Sequence, residues 1–382
     1  MKRTIYTEEH DAFRDTIRSF IARDVVPDFP NWERAGHAPL SLYRKLGQLG
    51  VTGFDIPEEY GGAGKTSYRY HAIISEEVAR AGVMFDSFTT SWGIVVPYLL
   101  NLGTEEQKKA WLPGVASGDI LLAIAMSEPG TGSDLAGIRT SAVRDGDFYV
   151  LNGAKTFITG GSQAKLIVVV ARTSKPDGNR RSGLSLLVVD TASEGFEVGR
   201  RLDKIGLKTS DTCELAFTDV RVPVENLLGE EGRAFDHLGQ NLPRERLSIA
   251  VAGYATAKAA IDFTKAYVRD RTVFDKPIAS FQNTKFVLAD CATEVTAAES
   301  MVDRAMALED TGELTAADAA QCKLFCTEVA GRVIDKCLQL HGGYGYILEY
   351  PIARLYADTR VSRIYGGTSE VMRSIIAKSI GL

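Results

Sequence analysis

The chain has 382 residues, 45% hydrophobic and 24% charged, long enough for two or three domains with a sizeable buried core. With 44 Lys and Arg against 49 Asp and Glu the net charge is −5, which excludes a broad attraction to nucleic acid or anionic membranes; an anionic ligand needs a local basic site. No stretch is apolar and long enough to span a membrane, Met1–Tyr6 lacks a signal-peptide core, and the five cysteines include no Cys-x-x-Cys, so a cytoplasmic, bacterial protein with reduced thiols is expected.

The first third is predicted helical. Phe13, Ile17, Phe20 and Ile21 share one face of Glu8–Arg23, which Pro27 and Pro30 are expected to end. Leu40–Leu49 is a second helix, stopped by Gly50. Beyond the glycine loop at 61–64, Tyr68–Arg80 is a third, with two or three more before Pro113. Near Leu121 the pattern becomes short and β-rich: Leu121–Met126, Phe148–Leu151, Thr156–Thr159, Leu166–Ala171, Leu184–Val189 and Glu214–Phe217. Turns are expected at Asp145-Gly146, Asn152-Gly153 and Asp177-Gly178. Strands without intervening helices imply a β-barrel or sandwich of roughly a hundred residues. Helical periodicity returns near Glu230, with Leu247–Arg269, Phe281–Leu308, Thr315–Leu340 and Ile352–Ile380 as a four-helix bundle. The fold class is therefore α+β and multi-domain: a helical domain over 1–120, a β domain over 121–229 and a bundle over 230–382. Cys322, Cys326, Cys337 and His341 fall at helical spacing in an apolar segment and are read as core, so no metal site is expected.

Five segments carry possible chemistry. Ala125-Met126-Ser127-Glu128-Pro129-Gly130-Thr131-Gly132-Ser133-Asp134 is a loop of glycine and small hydroxyl residues after a strand. It lacks the strand–helix setting of a dinucleotide fold or a P-loop, and alone it is an ordinary surface turn. Asn152 to Gly161 is a strand pair about an Asn-Gly turn. Arg269 to Phe274, with Phe281-Gln282, is a helix end rich in cations. Gln339 to Tyr346 is a glycine-terminated helix. Arg363-Ile364-Tyr365-Gly366-Gly367-Thr368-Ser369-Glu370 pairs glycines that permit close backbone approach with two hydroxyl side chains.

Taken in order over nearly the whole chain, these segments resemble the signatures of the acyl-CoA dehydrogenase family. The resemblance implies non-covalent FAD, flavin sites at the subunit contacts of a homotetramer or dimer, an acyl-CoA substrate, and an electron-transfer flavoprotein as partner. It places Met126, Ser127, Ser133, Phe157, Thr159, Arg271, Phe274, Gln282, Gln339, Gly342, Gly343, Thr368 and Glu370 at the cofactor. Ser133, Arg246, Tyr365, Gly366 and Gly367 are placed at the substrate. Arg271, Phe274 and Gln282 are expected to reach the flavin of a neighbouring subunit. Phe85–Gly93 matches the lining of the acyl chain, where Phe88 or Trp92 would shorten the cavity; both equally suit helix packing.

In that family a carboxylate removes the α-proton of the thioester as the β-hydrogen leaves as hydride to flavin N5, giving the trans-2-enoyl thioester. Many members carry the carboxylate at the place of Gly366, which here has no side chain. Glu245, in Leu242-Pro243-Arg244-Glu245-Arg246-Leu247, matches the base of the isovaleryl- and long-chain-type members, which pair it with a small residue at the other place. As a bare residue, Glu245 reads as an acid complementing the dipole at the start of a helix, and Arg246 as a solvated surface cation. Glu370 is a weaker candidate base. Alternatives on the same scaffold are an acyl-CoA oxidase, a flavin-dependent oxygenase, a dehydrogenase of carrier-protein thioesters, and an inactive acyl-CoA and FAD-binding partner subunit.

Overall fold

The computed structural model describes residues 3–84 and 86–382. Helix α1 (Glu8–Phe20) starts at a reciprocal cap between Thr7 and His10 and passes into a π-helical turn, Ile21–Val25. Pro30 lies in the first turn of α2 (Phe29–Ala35), where its missing N–H is no loss, so it begins a helix instead of helping to end one. Helices α3 (Leu40–Gln48), α4 (Arg69–Ala81) and α5 (Asp86–Phe88) follow. A π-helical stretch, Thr89–Val95, leads into α6 (Val96–Leu102) and then α7 (Glu105–Ala116). Pro113 lies inside α7 without ending it; it and Lys109, four residues before, are exposed, so water satisfies the carbonyl that loses its partner.

The middle of the chain forms one eight-stranded sheet: β1 (Leu122–Ala125), β2 (Ser141–Asp145), β3 (Phe148–Thr159), β4 (Leu166–Arg172), β5 (Leu184–Asp190), β6 (Phe196–Arg201), β7 (Thr212–Pro223) and β8 (Leu227–Leu228). The order is β6-β7-β3-β2-β4-β5-β8, with β1 parallel to β4. Leu166, Val168 and Val170 of β4 join the core of the N-terminal helices. The alternating Ile167, Val169 and Ala171 join Tyr149, Leu151, Leu215 and Phe217 in a second core, so the sheet folds over itself. The expected Asn152-Gly153 turn does not form. β3 runs through it, because the Asn152 side chain exchanges hydrogen bonds of 2.9 Å with the Asp219 side chain and backbone across the strand pair. A Cβ at Gly153 would strike Thr140, and the strand bulges there with φ +149°.

The C-terminal part is built on α8 (Ala234–Asp270). A two-stranded ribbon follows, β9 (Thr272–Val273) and β10 (Lys276–Pro277), then α9 (Gln282–Asp310) and α10 (Ala316–His341). Leu247, Val251 and Tyr254 pack with Val295, Val302, Cys322, Cys326 and Val333. All five cysteines are free and buried. The expected helix over Ile352–Ile380 is broken into α11 (Pro351–Thr359) and α12 (Ser369–Ser379). Gly366 and Gly367, at φ +61° and +93°, hold a backbone that a continuous right-handed helix cannot include. Among the described residues no helix is long and apolar enough to cross a membrane, and no cluster suits a metal ion.

Candidate active site

Glu245 does not begin its helix. The 37-residue α8 starts at Ala234, where Asp236 is the first-turn acid, and Glu245 lies in its interior, 5% exposed. The helix dipole therefore does not account for this carboxylate. Its Oε1 accepts a 2.6 Å hydrogen bond from Tyr98 Oη on α6. Burial pushes the Glu245 carboxyl up to about 7, against the opposing pull of the Tyr98 hydrogen bond and the Arg246 charge. Arg246 is buried, contrary to its reading as a solvated cation, and its Nε reaches the Gly366 carbonyl at 3.4 Å.

The Gly366 loop packs on the same stretch of α8. A Cβ at Gly366 would overlap Ile249 Cδ1, one turn beyond Glu245, and would lie 3.6 Å from Lys323 Cε. Lys323 on α10, 1% exposed, donates 2.7 Å to the Gly367 carbonyl, and burial lowers its ammonium to about 8. Two buried cations thus hold consecutive carbonyls of the loop. The N–H groups of Gly366 and Gly367 have no hydrogen-bond partner among the described residues. Tyr365 is half-buried; Thr368 caps α12, its side chain accepting from Val371 N at 3.3 Å. Glu370 is exposed, and hydrogen bonds from its own backbone and Thr368 hold its carboxyl below the usual range, which makes it a poor base.

The Met126–Ser133 loop and β3 form a second group. The backbone of Thr156 donates 3.0 Å to the Ser127 carbonyl. Lys155, fully buried, donates 3.0 Å each to the Met126 carbonyl and to Glu128, whose carboxylate also accepts the N–H groups of Arg139 and Thr140 at 2.8 and 2.9 Å. That network fixes the loop to the strand. Beside it β3 slips register between Lys155 and Ile158, and Phe157 adopts φ +60° with 69% of its surface exposed. A strained backbone that holds an aromatic ring out of its own core is the kind of distortion found at ligand sites. Thr159, two residues on, is half-buried, as is Ser127; Ser133 is exposed.

The third group lies elsewhere. Arg271 ends α8, Gln282 begins α9, and Gln339, Gly342 and Gly343 end α10, all exposed, with Phe274 90% exposed at φ +51°. The Arg271 guanidinium sits 5.6 Å from the Tyr344 ring. At 1.5 Å rise per residue, Arg271 is about 39 Å along α8 from Glu245. One chain therefore does not bring these residues to its own Glu245.

Across the N-terminal helices, Trp92 is core: its indole donates 3.0 Å to the Val115 carbonyl and stacks on Phe88 and Tyr43. Phe85 lies outside the described residues.

Family profiles for the N-terminal, middle and C-terminal domains of acyl-CoA dehydrogenases match residues 7–119, 123–220 and 233–381. The chain belongs to the acyl-CoA dehydrogenase family. It is 42% identical to the mitochondrial long-chain specific acyl-CoA dehydrogenase of Sus scrofa, over 99% of this chain and 88% of that one. The crystal structure of an acyl-CoA dehydrogenase from Geobacillus kaustophilus superposes with a TM-score of 0.95 at 43% identity, over 99% of both chains. An acyl-CoA dehydrogenase from Bacillus anthracis complexed with FAD superposes at 0.90 and 33% identity, over all of this chain and 69% of the other.

Acyl-CoA dehydrogenases are FAD-dependent oxidoreductases. The residues here suit that cofactor: the ring of Phe157 is free to stack on a flavin, and Gly130, Gly132, Gly342 and Gly343 have open space where a Cβ would project. Four buried polar groups that contact the candidate residues or their loops were not singled out from the sequence: Tyr98, Lys323, Glu128 and Lys155. Tyr98 and Lys323 carried a signal, each being a polar residue within an apolar run, where burial demands a partner.

Proposed function

We propose that this chain desaturates an acyl-CoA thioester between its α and β carbons, with Glu245 as the base. The observation that carries this reading is the pairing of a buried carboxylate near pKa 7 with a glycine loop whose empty side-chain position is filled by Ile249 of the same helix. Tyr98 holds Oε1, leaving Oε2 to take the α-proton. The unpartnered N–H groups of Gly366 and Gly367 polarise the thioester carbonyl and stabilise the charge that develops on it. FAD, when bound, supplies the acceptor for the β-hydride. Ser127, Ser133, Phe157 and Thr159 hold it from the middle domain, with Met126 lending its backbone and Thr368 and Glu370 the start of α12. Arg271, Phe274, Gln282, Gln339, Gly342 and Gly343 belong to the flavin site of a second copy; the span of α8 and the exposure of Phe274 support this assembly as a dimer or tetramer. Electrons then pass to an electron-transfer flavoprotein.

The test is anaerobic mixing of the yellow protein with straight and branched acyl-CoAs while flavin absorbance is followed, for wild type and Glu245→Gln. Bleaching by at least one thioester, lost in the variant, is expected. Bleaching of the variant at the wild-type rate would remove Glu245 from the mechanism. Rapid oxygen consumption in turnover would replace the dehydrogenase reading with an oxidase.

A further inference from the structure

Two cavities lie along one groove between α8 and the helical run from Thr89 to Leu102. The smaller, about 10 Å³, is lined by Tyr68, His71, Phe88, Thr89, Gly93 and Ser248. The larger, about 340 Å³, is lined by Asp55, Pro97, Asn101, Asn241 and Arg244 among others. Asn241, Arg244 and Ser248 share a face of α8, and Gly93, Pro97 and Asn101 share a face of the facing run, so the two cavities are collinear. Glu245 and Tyr98 stand beside this line on the same two helices.

A chain of polar side chains links the lining of the smaller cavity to that of the larger. His71 Nε2 lies 2.7 Å from Asp55 Oδ2, which also accepts 2.6 Å from Arg244 Nη2; Arg244 in turn donates 3.1 Å to Glu309. Asp55 is 10% exposed, and its Oδ1 has no partner. With the Asp55 carboxylate at Nε2, the other ring nitrogen of His71, Nδ1, is turned away from it. That Nδ1 sits against Gly93, 3.8 Å from where a Cβ would be, with no partner among the described residues. At this partition the buried Asp55 Oδ1, an acceptor, and the buried Arg244 Nε, a donor, both lack a partner, and a hydroxyl can donate and accept. The two carboxylates, Asp55 and Glu309, already engage Arg244 and disfavour an anion, and a bare methyl end would leave Asp55 Oδ1 and Arg244 Nε unpaired.

We propose that the reactive groove extends to this partition and that His71 and Asp55 form a subsite for a neutral hydroxyl group on the distal part of the acyl chain. This rests on the dehydrogenase reading above and names its substrate class. A site that hydrogen-bonds a substrate hydroxyl discriminates strongly against the analogue lacking it, because its polar groups are then left unpaired.

The experiment compares matched acyl-CoAs of equal length, unsubstituted or with a hydroxyl stepped along the distal half, by kcat/KM with an artificial electron acceptor. For one hydroxyl position the wild type is expected to favour the hydroxylated substrate by about tenfold or more. His71→Leu and, separately, Asp55→Asn are expected to bring that ratio to near one, the effect falling on the hydroxylated substrate. FAD content and melting temperature identify a variant that has not folded, and either variant alone suffices. Bleaching by unsubstituted chains with no preference at any position, or a preference unchanged in the folded variants, overturns this subsite and leaves the dehydrogenase reading standing. Failure of every thioester to bleach the wild type overturns both.

Discussion

Removing the Tyr98 hydroxyl with Tyr98→Phe keeps the ring that α6 packs into the core and deletes the 2.6 Å hydrogen bond to Glu245. That bond favours the ionised carboxylate; a hydrogen bond to a charged group contributes about 1.5–3 kcal/mol. At 1.36 kcal/mol per pKa unit its loss raises the Glu245 carboxyl by roughly one to two units. From the wild-type position of about 7, the carboxyl moves to roughly 8–9. If Glu245 is the base, the acid limb of kcat/KM reports this ionisation in the free enzyme. The expected outcome is a limb displaced upward by one to two units, a rate at pH 7 lower by roughly 5–50-fold, and recovery toward the wild-type plateau at high pH. Stopped-flow flavin reduction across pH measures all three. A limb that stays in place or moves down would show that Tyr98 does not bond the reacting carboxylate, and a loss equal at every pH would reduce its role to packing.

Glu245→Gln is expected to slow flavin reduction by about 10²–10⁴-fold and also to stabilise the protein at neutral and higher pH. A carboxyl raised from its ordinary value to about 7 in the fold leaves stability intact at low pH and removes it as pH rises to 7, by about 3 kcal/mol. The melting difference between variant and wild type should therefore open between pH 5 and 7 and then level. Lys155→Met strands the buried Glu128 carboxylate, costing about 3–5 kcal/mol, and should loosen FAD, read by chemical denaturation and by flavin retained on gel filtration. Gly366→Glu should destabilise the protein and fail to restore bleaching to Glu245→Gln, because its Cβ overlaps Ile249 and its φ is +61°; adding Ile249→Ala should recover part of the rate. Co-expressing Glu245→Gln and Arg271→Ala chains should give hybrids more active than either parent, since one flavin site then has both residues intact.

The order of helices, sheet and bundle was legible because each part has its own hydrophobic period over long segments. The misreadings have local causes. Asn152-Gly153 has the composition of a turn, but the side-chain exchange with Asp219 and the close approach of Thr140 make it a bulge. Glu245 looked like a first-turn acid because the helical period was read only from Leu247, whereas α8 begins at Ala234 and carries Pro243 in its interior. The family pattern paired Glu245 with Gly366; the contacts that join the two, through Ile249 and Arg246, came only with the fold. Tyr98, Lys323, Glu128 and Lys155 stayed hidden because period alone does not say which polar residue on a buried face meets which.

The exchange between Glu245 and Gly366 then has a steric explanation. At Gly366 a side chain would share space with Ile249, and the left-handed backbone disfavours any residue with a Cβ. Once that position is surrendered, the loop is held through its carbonyls by Arg246 and Lys323. Those two cations occupy the loop's carbonyls and none of its N–H groups, while the carboxylate arrives from α8 with its own desolvation and its own hydrogen bond. A base on a long, tightly packed helix has less freedom to reorient than one on a loop between two broken helices. The arrangement should therefore tolerate changes in the Gly366 loop better than changes in the Ile249–Tyr98 packing that sets the carboxylate's direction.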